Sequence, residues 1–209
     1  MKGGERELDL LVSDARWALE RQLEPRDLVP MLSSVLDRAE PGSPADLFAR
    51  KHLAQLLVEH EPWQAARLAQ DVLAHEPDHQ AYAVLALSHT LLGHYRCAKK
   101  AYRQALALAP GCPAYAHNLG HLLDVALNRP ADALPYLECA HRELPDESEV
   151  ASSLAHALAR ADRRDEARTL LIQALQGDAD RAEHLLQVWL RSNPAKPAEQ
   201  AEVGSARFA

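Results

Sequence analysis

The stretch HQAYAVLALSHTLLGHYRCAKKAYRQALALAP, residues 79–110, decides the fold. It reads as two helices joined by a short turn. Tyr82, Leu85 and Ala86 recur at helical spacing in its first half, and Ala98, Tyr102 and Ala105 in its second. Gly93 and Tyr95 stand between the two halves, and Pro110 closes the stretch. Pro77, Pro110 and Pro145 stand 33 and 35 residues apart, so the pattern repeats. A period near 34 residues marks an array of helix pairs, each too small to bury its apolar face alone.

Working outward on this frame gives four units, at about 46–78, 79–111, 112–146 and 147–179. The third has one extra residue, expected in its turn. Small and aliphatic residues fall where paired helices must approach closely. They are Leu53, Leu56, Ala65, Ala69 and Val72 in the first unit, and Leu119, Gly120, Ala133 and Ala140 around Leu137 in the third. The fourth has Leu154, Ala155, Ala167, Leu171 and Ala174. A larger side chain at Ala98, Gly120 or Ala133 would force a pair apart, because interiors are close-packed.

Helix starts are marked chemically. Ser43-Pro44 offers an N-cap followed by proline at the first helical position. Asp146 with Glu149 three residues on has the form of a capping box. Pro62 and Pro130 open second helices, and Pro135 falls in a first turn or kinks the helix that starts at Pro130. Residues 1–40 predict a helical pair, from Leu8, Leu11, Val12, Ala15, Ala18 and Leu19 and then Leu28, Met31, Leu32, Val35 and Leu36. This pair is a degenerate repeat or a packing element. Ala182, Leu185, Leu186 and Trp189 predict a capping helix over 180–192, and the composition of 193–209 predicts a disordered tail.

The second unit resembles the tetratricopeptide repeat almost slot for slot, and the resemblance extends over 46–179. It implies an all-α fold, a right-handed superhelical solenoid of antiparallel helix pairs whose first helices line a concave groove. It also implies protein or peptide binding in that groove by an adaptor or scaffold, and no catalysis. Carried over residue by residue, the groove slots that matter most are Arg50, Leu57, Ala83, Leu87 and Leu91, then His117, Asn118, His121, His156 and Arg160. Asp124 occupies a further slot. The first half of this wall is mostly apolar and suits aliphatic anchors of a partner, while the second is polar and rich in histidine. Members that grip an acidic chaperone tail use a clamp of Lys, Asn and Arg. The matching slots here hold Arg50, Ala54, Val84, Ala114 and Asn118, or one repeat later Ala83, Leu87, Asn118, Glu149 and Ser153. Neither set makes such a clamp.

His117 and His121 share a helix face, and His156 fills the slot equivalent to His121 in the next repeat. These three are the only metal candidates; polar contacts to a partner, or plain surface, explain them better, and no metal or other cofactor is expected. No P-loop, nucleophile-elbow or zinc-protease string occurs, so no catalytic residue is named and the chain is read as a non-enzyme.

The net charge of −7 gives no support to a nucleic-acid partner. Cys97, Cys112 and Cys139 form no C-x-x-C pair. With a charged start, residues 1–10, and no long apolar run, they predict a cytoplasmic protein that does not insert into membranes. The excess of arginine over lysine and the abundant alanine suit a bacterial source. The expected partner is a protein or peptide, and the oligomeric state stays open with a monomer favoured. Two alternatives share the architecture: a chaperone for secretion or for assembly of a surface machine, and a self-associating structural protein.

Overall fold

A computed structural model describes residues 2–192. Among the described residues every regular element is a helix: α1 (Lys2–Glu20), α2 (Pro25–Leu36), α3 (Pro44–Leu57), α4 (Pro62–Leu73), α5 (His79–Leu91), α6 (Tyr95–Leu108), α7 (Pro113–His121), α8 (Pro130–Glu143), α9 (Ser148–Arg160), α10 (Arg164–Ala174) and α11 (Ala179–Ser192). A π-helical segment, Leu122–Ala126, continues α7. The expected disorder of 193–209 lies outside the described residues. The chain divides into two compact units, with the boundary between Tyr115 and Ala116.

Proline opens α2, α3, α4, α7 and α8, where its preset φ costs no hydrogen bond. The start of α3 is built as expected. Ser43 Oγ accepts from the Asp46 N–H at 3.3 Å, and Asp46 Oδ2 accepts in return from the Gly42 N–H at 3.0 Å. The capping box expected at Asp146 and Glu149 does not form. The N-cap of α9 is Glu147, and no side chain caps it. Pro135 lies inside α8, which starts at Pro130, and not in a first turn. It forgoes one backbone bond there.

In the first unit consecutive helices pack antiparallel. One core joins Leu32 and Val35 of α2, Leu53 of α3, Ala65, Ala69 and Val72 of α4, and Ala81 and Val84 of α5, with Leu8, Leu11 and Val12 of α1 packed against it. The amino-terminal pair thus extends the stack, α1 on α2 and α2 on α3. Each fully buried Leu or Val adds about 1.5–3 kcal/mol of transfer free energy. Ala98 and Ala105 of α6 are completely buried beside Tyr102.

In the second unit α8 packs on α9, α9 on α10 and α10 on α11. A Cβ at Gly120 would lie 2.5 Å from Leu137 Cγ and 3.3 Å from the Ala133 carbonyl oxygen. The glycine is therefore what lets α7 and α8 close.

Three repeats turn through one left-handed residue between their paired helices: Gly93 (φ 75°), Asn128 (φ 53°) and Asp162 (φ 65°). Asn and Asp tolerate that conformation best after glycine. Ala86 to Gly93 spans seven positions, Gly120 to Asn128 eight, and Ala155 to Asp162 seven. The extra residue of the third repeat is therefore not in the turn. It sits before the turn, in the π-helical segment, where the Leu127 N–H returns to the Leu122 carbonyl at 3.0 Å.

Candidate functional site

The first helices of successive pairs lie side by side: α3 packs beside α5, and α9 beside α11. Their outward residues were the expected contact surface, and each unit has its own set.

In the first unit Leu57, Ala83 and Leu87 are half-buried, and Leu91 is 51% exposed. Leu57 and Leu87 lean on the core and leave an edge at the surface. Arg50 is already committed. Its Nε donates to Asp46 at 2.8 Å and its Nη1 to Asp71 of α4 at 2.5 Å. Burial by itself would raise the Asp46 carboxyl, but Arg50 and the Gly42 N–H outweigh it and hold it below the usual carboxylate range. Lys51 joins the first repeat to the second by donating at 2.6 Å to Asp78, whose other oxygen caps α5 by accepting from the Ala81 N–H at 2.7 Å. The Asp78 carboxyl, which burial would raise, is likewise held low by these two donors.

In the second unit His117 and Asn118 are half-buried and His121 is exposed. The imidazoles of His117 and His121 are 6.2 Å apart, and His117 Nε2 lies 3.0 Å from Ser153 Oγ on α9. Burial pushes the His117 imidazole below its ordinary range, opposed by the charge of Glu149 and reinforced by His121.

Arg160 and His156 behave differently from expectation. Arg160 is fully buried, so it presents no group to a partner. Its Nη1 donates to Asp124 Oδ1 at 2.6 Å and to the Asp124 carbonyl oxygen at 2.5 Å, and its Nη2 donates to Asn128 Oδ1. His156 Nδ1 lies 2.5 Å from Asp124 Oδ2, and its ring meets that of Trp189 on α11 edge-on at 5.2 Å. Asp124, assigned from sequence to the groove wall, is buried at the centre of this network. The π-helical segment turns it inward. Sequence reasoning missed the network, although the eight-residue spacing from Gly120 to Asn128 was its signal.

His156 is engaged by Asp124 and Trp189, while His121 meets His117. Among the described residues no group of three His, Cys, Asp or Glu side chains is arranged to hold a metal ion. The three cysteines are free thiols. No helix among the described residues is long and apolar enough to cross a membrane.

Residues 124–187, from the buried aspartate into α11, match the tetratricopeptide-repeat family. That segment carries the tetratricopeptide-repeat signature. Solved structures of MamA share the repeat architecture. The MamA RS-1 ArsTM double mutant aligns with a TM-score of 0.69 at 16% identity, over 84% of this chain and 96% of its own. MamA from residue 41 onward, from Desulfovibrio magneticus RS-1, aligns at 0.68 and 16%, over 83% and 96%. MamA AMB-1 aligns at 0.62 and 22%, over 82% and 96%. At these identities the likeness concerns the fold. A comparison with curated proteins finds no match. The π-helical segment with its buried Asp124 thus lies at the start of the matched repeats.

Proposed function

We propose that this chain is a protein-interaction scaffold and that its repeats bind a peptide or helix from a partner. Tetratricopeptide repeats generally serve as non-enzymatic scaffolds. The observation that carries the reading is the apolar row on adjacent first helices of the first unit. Leu57 stands on α3 and Ala83, Leu87 and Leu91 on α5, all with surface left to bury. Aliphatic anchors seated there would each contribute about 1.5–3 kcal/mol before association costs.

The second unit would offer a polar surface of its own. His117, Asn118 and His121 are available on α7, and His156 keeps part of its ring accessible. Arg160 acts there only by holding the segment that carries Asp124. The first surface would supply apolar affinity, and the second would make hydrogen bonds of its own.

The test is affinity capture from the source organism with the full chain, beside Leu87→Glu and, separately, His121→Glu. Loss of the same partner with Leu87→Glu supports the apolar row as the docking surface. Capture undiminished by both substitutions would overturn it. A single aggregation-prone client, stabilised stoichiometrically, would turn the reading toward a dedicated chaperone. Light scattering that shows assembly of the purified chain alone would turn it toward a self-associating structural protein.

A further inference from the structure

A second surface stands apart from the apolar row. Helix α6 carries Arg96, Lys99, Lys100 and Arg103, and no carboxylate at all. The spacing i, i+3, i+4, i+7 puts all four on one face. That face is opposite the stripe of Ala98, Ala101, Tyr102 and Ala105, which is buried. Arg96, Lys100 and Arg103 are exposed and Lys99 is half-buried.

The chain as a whole is acidic, at −7, and several of its other cations pair with carboxylates. Arg38 pairs with Glu7, Arg50 with Asp46, Lys51 with Asp78 and Arg168 with Glu183. None of the four cations of α6 has a carboxylate partner among the described residues. Local electrostatics oppose their arrangement in two ways. They repel one another at three- and four-residue spacing. Three of them, Arg96, Lys99 and Lys100, also lie in the amino-terminal half of the helix, where the positive end of the peptide dipoles favours anions; its first turn holds no acid and its last turn no base. A local rule broken with no compensating contact inside the chain points to compensation from outside.

We propose that the outward face of α6 docks an acidic segment of a partner protein, with carboxylates repeating at three and four residues along a helix. The four cations span two helical turns, roughly 10 Å at 1.5 Å per residue. That footprint matches two turns of an acidic helix. A nucleic acid or an anionic bilayer would extend well beyond it, over a protein surface whose excess of carboxylates repels polyanions.

The test uses the full chain and a fluorescein-labelled helical peptide with Glu at positions i, i+3, i+4 and i+7. Binding is followed by anisotropy at low and high salt. The expected result is binding that weakens with salt and falls at least tenfold in the variant Arg96→Gln, Lys99→Gln, Lys100→Gln, Arg103→Gln. That variant should melt at the same temperature as the parent or higher, since it relieves repulsion. Equal binding by the variant, or equal binding of a peptide with Gln at the four positions, would overturn the proposal. So would tighter stripe-dependent binding of phosphatidylserine vesicles or of a single-stranded oligonucleotide. Self-association of the parent that vanishes in the variant would overturn it in favour of a second copy of this chain.

Discussion

Arg160 holds Asp124 twice, donating from one guanidinium nitrogen to both the side-chain oxygen Oδ1 and the main-chain carbonyl. The main-chain contact matters because the π-helical segment disturbs the backbone ladder. The Arg129 N–H passes over Asp124 to reach the Leu123 carbonyl at 2.8 Å. A side chain from the next repeat therefore satisfies a carbonyl that a regular helix would have satisfied itself. Inter-repeat packing and local backbone irregularity are one feature here.

Removing one partner of this buried pair should be costly. Arg160→Met leaves the Asp124 carboxyl enclosed without its guanidinium partner, and we expect a loss of about 3–5 kcal/mol in urea denaturation. Asp124→Leu combined with Arg160→Met should cost clearly less than the sum of the two single changes. Additive costs would show that the two groups do not act together.

The approach of α7 to α8 at Gly120 gives a second expectation. Gly120→Ala places a methyl group against Leu137 and should destabilise by about 1–3 kcal/mol. Leu137→Val in the same chain should recover part of that loss. Thermal melts of the three variants check it, and a neutral Gly120→Ala would contradict the close approach.

Asp46 should contribute to acid sensitivity. Its carboxyl titrates lower in the folded chain than in the unfolded one, because Arg50 and the Gly42 N–H outweigh burial. The stabilisation is complete above the unfolded value of about 4 and is lost as pH falls through the folded value. Asp46→Asn should therefore destabilise by about 1.5–3 kcal/mol at neutral pH and by less below pH 4. Denaturation midpoints between pH 2.5 and 7 measure the difference.

His117 acts in a higher window. Burial depresses its imidazole, so the folded state favours the neutral ring. The folded state is fully favoured above the unfolded value of about 6.5 and loses ground as pH falls toward the folded value. His117→Gln can still hydrogen-bond to Ser153, and it should flatten the decline in stability between pH 7 and 5. An unchanged slope in denaturation curves would place the responsible group elsewhere.

Much of this was legible in residue order. The return of small residues and prolines at a near-constant interval requires paired helices, because only stacking buries the apolar faces. Ser43-Pro44, Gly93 and Gly120 each announced a local geometry that the chain adopts. The position of the extra residue was not legible, because a longer turn and a π-helical segment satisfy the same residue count. Nor was the fate of Arg50, Asp124, His156 and Arg160. A slot in a repeat states which face a side chain leaves from, and its partners come from neighbouring helices. Sequence by itself determined the helix pairs and their stacking, since periodicity and propensity act along the chain. Only the tertiary structure decided which charged groups are free to meet another molecule and which are held inside, since pairing and burial act across it.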